Sequence, residues 1–329
     1  MQMRRKVTEM KTGINEVVKQ LKSANNIALF CHINPDCDTI CSALALKFAL
    51  QKMNKKIDVF CDGDINGDIA DVYGASFINE ATGERYDTAV SIDCGDQGRV
   101  GKYYHSIFKK APVTMCIDHH QQYESFTMIN YVDPHSGATA ELIYLIIKEI
   151  NKDLIDREIA TLLYTALVTD TGNFSFSNTG VRTLFIASDL LSYQINNADI
   201  SYHFFKEIGL RKFRLKVRGL AKAEFFENDA IGIISFSAED FKETGTSSAD
   251  SSNLVNEIVN ISTVRIAVSI TEVHPHSYKV SIRTKEGVNA GKIANIFGGG
   301  GHKNAAGFML NGFFGNVLDD ILKACRDHL

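Results

Sequence analysis

Four short apolar segments in the first half of the chain predict the strands of one parallel sheet. Each segment is continuously apolar instead of alternating with polar positions, which is typical of strands covered on both faces. The predicted strands are residues 27–32, 57–62, 88–94 and 113–118. An Ala- and Leu-rich segment at 41–52 predicts a helix between the first two. This order indicates an α/β fold, in which helices flank a parallel sheet.

The pattern changes after residue 200 and predicts a second, smaller α/β domain. Before this change, the first domain has further predicted helices at 138–150, 157–168 and 181–193. The strands of the second domain are predicted at 231–237, 264–271, 278–283 and 307–310. Between them, residues 206–222 carry seven basic side chains and one acid, Glu207. This segment predicts a basic helix that joins two domains, although a solvated helix face is an equal interpretation.

Composition limits the class of protein further. The 329 residues suffice for two domains, and the 35 basic against 39 acidic side chains argue against a strongly basic, non-specific DNA coater. The sequence has no run of 18 apolar residues, so it predicts no membrane span. Its N-terminal segment lacks the apolar core of a signal peptide. Seven cysteines without zinc-like spacing indicate reduced thiols, so we expect a cytoplasmic protein.

Acidic and histidine residues follow three of the four predicted strands. The carboxyl ends of parallel strands meet at one edge of a sheet, so these side chains are expected to lie together. Such a group of carboxylates needs a counter-charge, and mixed carboxylate and imidazole ligands suit Mn²⁺, with Mg²⁺, Fe²⁺ or Co²⁺ as alternatives. A single Asp here is often only a helix cap. The candidates are His32, Asp36, Asp38, Asp93, Asp118, His119 and His120, with Asp170 from a helix end.

A glycine cluster at residues 298–301 is the second chemical signal. Consecutive glycines let backbone N–H groups approach an anion closely, and His302 and Lys303 follow directly. Most glycine runs are simply flexible loops, and that interpretation stays open from the residues alone. Arg283, at the end of a predicted strand, adds a positive charge to the same domain.

These motifs together resemble the DHH phosphoesterases. The resemblance rests on HxxPDxD from His32 to Asp38, Asp93 at a strand end, Asp118-His119-His120 and Asp170-Thr171. In the second domain, the GGGHxxAAG form of residues 299–307 resembles the DHHA1 domain. The likeness runs from about residue 21 to the C-terminus and has the two-domain layout of the short nanoRNases, or oligoribonuclease/pAp phosphatases. It implies a DHH catalytic domain at 1–195, a helical linker at 196–225 and a DHHA1 substrate-binding domain at 226–329.

The resemblance also implies a role for each residue. One metal ion would be held by His32 and Asp36, and a second by Asp38, His119 and Asp170, with Asp93 bridging both. Asp118 would orient the histidines, and His120 would face the substrate phosphate as a hydrogen-bond donor or acid. The distal part of the substrate would be held by Arg283, Gly299, Gly300, Gly301 and His302.

The expected reaction is hydrolysis of a phosphoester by a hydroxide that two divalent ions share, most readily Mn²⁺, with Mg²⁺ or Co²⁺ possible. The expected substrates are short oligoribonucleotides or dinucleotides, cleaved to mononucleotides, and 3′-phosphoadenosine 5′-phosphate, converted to AMP. A cyclic-dinucleotide phosphodiesterase is one alternative, and a non-catalytic nucleotide-binding regulator is an alternative of another class. No membrane partner is expected, and the sequence leaves a homodimer open.

Overall fold

The computed structural model describes residues 2–65, 67–81 and 85–329, in two units that divide between Glu207 and Ile208. That division lies inside the segment predicted as a linker. Each unit is built around its own sheet. None of the helices in the described ranges combines the length and the apolar character that crossing a bilayer requires.

Unit 1 is a parallel sheet with helices on both faces, as predicted. In its described part the strands are β1 (Asn26–Phe30), β2 (Lys56–Phe60), β3 (Thr88–Ile92), β4 (Val113–Asp118) and β5 (Ile129–Val132). They pair in the order β2-β1-β3-β4-β5, all in parallel. The helices are α1 (Gln2–Ser23), α2 (Cys37–Gln51), α3 (Tyr103–Ser106), α4 (Thr139–Asn151), α5 (Arg157–Asp170), α6 (Val181–Leu191) and α7 (Asn197–Phe205).

Burial on both faces explains the continuous apolar segments. Along β1, Ile27 and Leu29 belong to the large core that includes α2, α4 and α5, whereas Ala28 and Phe30 belong to a smaller core on the other face. Helix α2 packs beside α5 and α4, and nearly all of its residues are buried. This explains why its sequence shows little amphipathic pattern.

Three strands end two residues earlier than predicted, and the loops after two of them, β1 and β3, carry the candidate site. Strand β1 ends at Phe30, two residues before His32, and β3 ends at Ile92. Asp93 has a φ of 58°, which is left-handed backbone and cannot continue a strand. Helix α2 starts four residues earlier than predicted, since Asp36 caps it by accepting a hydrogen bond from the Thr39 N–H at 3.1 Å.

Unit 2 contains a mixed sheet. Its strands are β6 (Glu224–Phe226), β7 (Ile231–Phe236), β8 (Ile266–His274), β9 (Ser277–Thr284), β10 (Gly300–Gly301) and β11 (Ala305–Asn311), in the order β10-β11-β9-β8-β7-β6. Strands β7 and β8 pair in parallel, and the other neighbours pair antiparallel. The helices are α8 (Leu210–Ala221), α9 (Ala238–Thr244), α10 (Val255–Val259), α11 (Ala290–Ile296) and α12 (Phe314–Arg326).

The two faces of this second sheet differ in chemistry. On β9, Tyr278, Val280 and Ile282 enter the core formed with α11 and α12. The alternate residues on the other face, Lys279 and Arg283 among them, are polar or charged. The basic helix predicted from residues 206–222 is α8.

Candidate metal centre

The carboxyl edge of the parallel sheet brings together the eight side chains predicted from the sequence. They come from the loop after β1 and the first turn of α2, from the residue after β3, from the end of β4 with the two residues that follow it, and from the end of α5. The ligand atoms form three overlapping groups within which all lie less than 4.8 Å apart. The groups are His32 with Asp36 and Asp93, Asp38 with His119 and Asp170, and Asp93 with His119 and His120.

Asp93 lies at the centre of this arrangement. Its Oδ2 is 3.5 Å from Nε2 of His32, and its Oδ1 is 3.5 Å from Nε2 of His119. The Thr139 hydroxyl donates a hydrogen bond to Oδ1 at 2.7 Å and fixes the carboxylate. The left-handed backbone turns this side chain toward the loops on either side. One carboxylate therefore faces two imidazoles, one at each of its oxygens.

His32 directs a buried ring nitrogen at two carboxylates. Its Nδ1 lies 2.7 Å from the carbonyl oxygen of Ile33, so Nδ1–H donates there and Nε2 faces the carboxylates. Nε2 is buried, makes no hydrogen bond within the part of the chain that the structure describes and lies 3.6 Å from Oδ2 of Asp36. Burial lowers the pKa of His32, but the carboxylates of Asp36 and Asp93 outweigh burial and raise this pKa to about 9. The imidazole thus sits where positive charge is favoured.

The second group of ligands has His119 at its centre. Its Nε2 is 3.8 Å from Oδ2 of Asp38 and 3.6 Å from Oδ2 of Asp170. Its Nδ1 lies 3.2 Å from the carbonyl oxygen of Ser136, which directs Nε2 to the carboxylates. A histidine held in this way by a backbone carbonyl is typical of metal sites.

Asp38 is buried against the start of α4. Its two oxygens accept hydrogen bonds from the backbone N–H groups of Thr139 at 2.7 Å and Ala140 at 3.0 Å. The N-terminus of a helix favours negative charge, and this partly offsets the cost of burial. Even so, burial, together with Asp93 and Asp170, raises the pKa of Asp38 well above its usual range.

Asp118 organises the two histidines that follow it. Its Oδ1 accepts hydrogen bonds from the backbone N–H groups of His119 and His120 at 2.9 and 3.3 Å, and from Nδ1 of His120 at 2.7 Å. The bond from Nδ1 raises the pKa of His120. The His120 ring is partly exposed, so Nε2 remains available to a ligand.

This set of donors fits divalent cations. Burial, with Asp93 and Asp36 as neighbouring charges, raises the pKa of Asp170 to about 6, which indicates carboxylates that repel one another without a counter-ion. Oxygen and imidazole donors suit Mn²⁺ or Mg²⁺ better than a thiolate-rich metal site. Burial also raises the pKa of Cys41 strongly, so this neighbouring thiol keeps its proton and packs as an apolar residue.

A cavity of about 400 Å³ opens beside the ligands, lined by Asp36, Asp38 and Asp170 together with the apolar Pro35 and Ile69. Its wall therefore combines three carboxylates of the candidate metal centre with apolar surface.

The residues predicted to bind substrate all lie in unit 2. Arg283, on β9, is half-buried and donates from Nη1 to the Ile282 carbonyl oxygen at 3.1 Å. No carboxylate of the described residues lies within salt-bridge distance of it, and burial lowers its pKa. A half-buried guanidinium without an acid is a candidate for binding an anionic ligand.

Two glycines of the motif, Gly299 and Gly301, have no room for a side chain, whereas Gly300 does. A Cβ on Gly299 would lie 2.4 Å from the Gly307 carbonyl oxygen, and one on Gly301 would lie 2.5 Å from that of Ala305. A Cβ on Gly300 would meet nothing within 4 Å. Close packing on β11 therefore explains the outer two glycines, and Gly300 presents bare backbone to solvent.

Some residues of both regions escaped the sequence analysis. Thr139 and Ser136 contact the centre, but they belong to the start of α4 and the turn before it, outside the strand-end motifs. In unit 2, a cavity of about 210 Å³ lies beside Arg283, with Lys279, Ser269 and Ser281 in its wall. The alternation along β9 and β8 was the available signal, because these positions alternate with residues that pack in the core.

Comparison with known proteins identifies the family of this chain. The DHH family N-terminal domain matches residues 26–167, and the DHHA1 domain matches residues 231–329. The bifunctional oligoribonuclease and PAP phosphatase NrnA of Thermus thermophilus is 30% identical over 338 residues, covering 96% of this chain and 93% of that protein. The chain belongs to the DHH family of phosphoesterases.

Other members of the family are similar over the same length. The bifunctional oligoribonuclease and PAP phosphatase NrnA of Bacillus subtilis is 26% identical, and the match covers 95% of this chain and 99% of that protein. The crystal structure of an exopolyphosphatase-related protein from Bacteroides fragilis has a TM-score of 0.87, with 24% identity and 96% coverage of both chains. This DHH protein therefore shares its whole fold, and the predicted family and fold class are confirmed.

Proposed function

We propose that this DHH protein uses two divalent metal ions, most readily Mn²⁺, to hydrolyse short oligoribonucleotides and dinucleotides to mononucleotides. We include 3′-phosphoadenosine 5′-phosphate as a substrate that yields AMP. The observation that carries the proposal is the pair of ligand groups on either side of Asp93. The relatives named as oligoribonucleases and PAP phosphatases support this choice of substrates.

The ligands divide into two sets that share one carboxylate. His32 and Asp36 would hold one ion, and Asp38, His119 and Asp170 would hold the other, with Asp93 common to both. Ions bound there supply a water of lowered pKa and positive charge beside the phosphoryl oxygens. The carboxylates themselves lose their mutual repulsion when a cation neutralises them.

His120 would act on the substrate directly. Its Nδ1 is engaged by Asp118, so the protonated ring directs Nε2–H outward. In that state Nε2 donates a hydrogen bond to a phosphoryl oxygen or a proton to the leaving oxygen. Asp118 is fully buried and favours the imidazolium form that this role needs.

Unit 2 would bind the part of the substrate that does not react. Arg283, the glycine backbone of residues 299–301 and His302 offer a guanidinium, an exposed backbone without side chains and an exposed imidazole. These groups recognise a second phosphate and the sugar next to it. A substrate with only a few nucleotides satisfies this small number of groups.

The test is a product analysis by mass spectrometry. Purified protein is incubated with pApA, a pentaribonucleotide, 3′-phosphoadenosine 5′-phosphate and cyclic di-AMP, each with Mn²⁺ in the presence or absence of EDTA. We expect AMP from pApA and from the bisphosphate, and mononucleotides from the RNA, only without EDTA. Conversion of cyclic di-AMP alone would favour a cyclic-dinucleotide phosphodiesterase. Binding of nucleotides without any turnover would contradict the proposal and favour a regulatory protein.

A further inference from the structure

The turn between β5 and α4, residues 133–138, and the first residues of α4 hold the metal centre at several points. The Ser136 carbonyl oxygen accepts from Nδ1 of His119 at 3.2 Å. Just beyond the turn, the Thr139 hydroxyl bonds Asp93 and the Thr139 N–H bonds Asp38, both at 2.7 Å. The orientation of three candidate ligands therefore depends on where this segment lies.

One arginine from a distant part of the chain ties the two ends of the segment together. Arg182, on α6, donates from Nη2 to Oδ2 of Asp133 at 2.8 Å and from Nε to Oε2 of Glu141 at 2.7 Å. Asp133 begins the turn, and Glu141 lies in the first turn of α4. Both carboxylates are only 1% exposed, whereas the Arg182 side chain is 38% exposed.

Each carboxylate uses its other oxygen to hold the backbone of the same turn. Oδ1 of Asp133 accepts from the His135 N–H at 3.0 Å, and Oε1 of Glu141 accepts from the Gly137 N–H at 2.9 Å. The guanidinium thus fixes two carboxylates that in turn fix the backbone supplying contacts to the ligands. A planar, bidentate fork suits this bridge, which an ammonium cannot span.

We propose that Arg182 is a positioning residue of the metal centre, and that its loss weakens the binding of divalent metal. The inference rests on the proposed metal-dependent function and extends it to a residue outside the four sequence motifs. Partners that orient ligands in this way typically change metal affinity by about 10–100-fold when they are lost.

The sign of the effect separates positioning from simple charge. Arg182 is a positive charge near a cation site, so its removal would strengthen metal binding if only long-range electrostatics mattered. Loss of positioning has the opposite sign, because the ligands no longer meet at one point. Weaker binding in the variant is therefore specific to the proposed role.

The experiment is calorimetric titration of Mn²⁺ into metal-stripped wild type, Arg182→Ala and Arg182→Lys. Arg218→Ala is the matched control, since Arg218 also bridges two carboxylates, Asp240 and Glu243, at 37% exposure but in unit 2. We expect Kd to rise about 10–100-fold in Arg182→Ala. A smaller rise in Kd is expected in Arg182→Lys, because lysine keeps the positive charge but can contact only one of the two carboxylates. No change in Kd is expected in Arg218→Ala.

Circular dichroism confirms that each variant is folded at the titration temperature. If Arg182→Ala is unfolded, Arg182→Lys decides the question alone. Unchanged or tighter Mn²⁺ binding in a folded Arg182 variant would overturn the inference while leaving the proposed function intact. Failure of the wild type to bind Mn²⁺ would instead contradict the proposed function itself.

Discussion

The two sheets of this protein gather opposite charges by different structural rules. In unit 1, the loops at one edge of a parallel sheet gather carboxylates and imidazoles. In unit 2, alternation along antiparallel strands places Lys279, Ser281 and Arg283 on one face. The first arrangement suits cations and the second suits anions. A metal-dependent phosphoesterase needs both, since the reacting phosphate and the rest of an anionic substrate require different partners.

The pKa values of buried acidic residues shift in opposite directions in the two units, because their neighbours carry opposite charges. At the metal centre, burial and neighbouring carboxylates raise the pKa of Asp38 and Asp170. In unit 2, Asp240 is also buried, but Lys222, the Ser237 N–H and Arg218 outweigh burial and lower its pKa. Repulsion between the carboxylates of the first cluster lowers the stability of the metal-free protein, whereas the ion pairs of Asp240 stabilise the fold without any bound ion.

The largest expected effect comes from Asp93→Asn, which removes the charge shared by both ligand groups. We expect kcat on pApA to fall by about 10³-fold or more, because the charge stabilisation of the transition state is lost. Asn tolerates the left-handed backbone, so the fold should persist. Asp229→Asn, at another left-handed Asp in unit 2, is the control and should keep wild-type activity. A wild-type rate in Asp93→Asn would remove the basis of the mechanism.

A second variant tests the anion-binding side. Arg283→Ala should raise KM for pApA by about 10–100-fold, the size expected for a lost charge-assisted hydrogen bond. Hydrolysis of bis(p-nitrophenyl) phosphate, which has no second phosphate, should be unchanged. Steady-state kinetics on both substrates measure this, with the exposed Arg265→Ala as the control. Equal impairment on both substrates would mean that Arg283 does not act on the distal phosphate.

The pH dependence of stability sharpens the contrast between the units. Because the pKa of His32 is raised, its protonation stabilises the metal-free fold. This stabilisation is fully present below about pH 6.5 and is lost as pH rises through about 9. Because the pKa of Asp170 is raised, ionising this carboxyl lowers the stability of the fold. The loss of stability begins as pH rises above the ordinary pKa of 3.8 and is complete above about pH 6. Both act in the same direction, so Tm in EDTA should fall from pH 5 to pH 9.

Thermal melts followed by circular dichroism measure this dependence. Saturating Mn²⁺ should raise Tm and reduce the fall, because it neutralises the same carboxylates. A Tm in EDTA that is constant or rises over this range would show that repulsion at the metal centre is not a significant cost.

The smallest effect concerns the glycine motif. Gly300→Ala should leave Tm unchanged, because its Cβ enters open space, yet raise KM for pApA a few-fold by blocking the approach of a phosphate. Gly315→Ala is a matched control, since a Cβ there also meets nothing within 4 Å. If KM of Gly300→Ala equals that of the wild type, the open backbone does not contact the substrate.

Local sequence predicted most of the metal centre because its ligands lie in short motifs that directly follow strands. His32, Asp36 and Asp38 lie within seven consecutive residues, and Asp118 to His120 are consecutive. What the sequence did not predict depends on long-range contacts: Thr139 reaches Asp93 across 46 positions, and Arg182 reaches Asp133 across 49. Such pairs leave no local pattern.

The same reasoning explains the elements that were missed. Strand β5 is four residues long and only Tyr131 in it is buried, so no continuous apolar segment marks it. The strand ends were overestimated where apolar character continued into functional loops, as at Cys31 and Cys94. Burial of these cysteines beside the ligands, not strand structure, accounts for the longer apolar segments.

The most direct test of the account is reconstitution of the metal-free protein. Mn²⁺ is added in steps to EDTA-treated, dialysed protein at a concentration far above Kd, and hydrolysis of pApA is followed by chromatography. We predict no AMP without metal and a rate that reaches its maximum near two ions per chain. Full hydrolysis of pApA in the absence of divalent metal, or none at any Mn²⁺ concentration, would contradict the account.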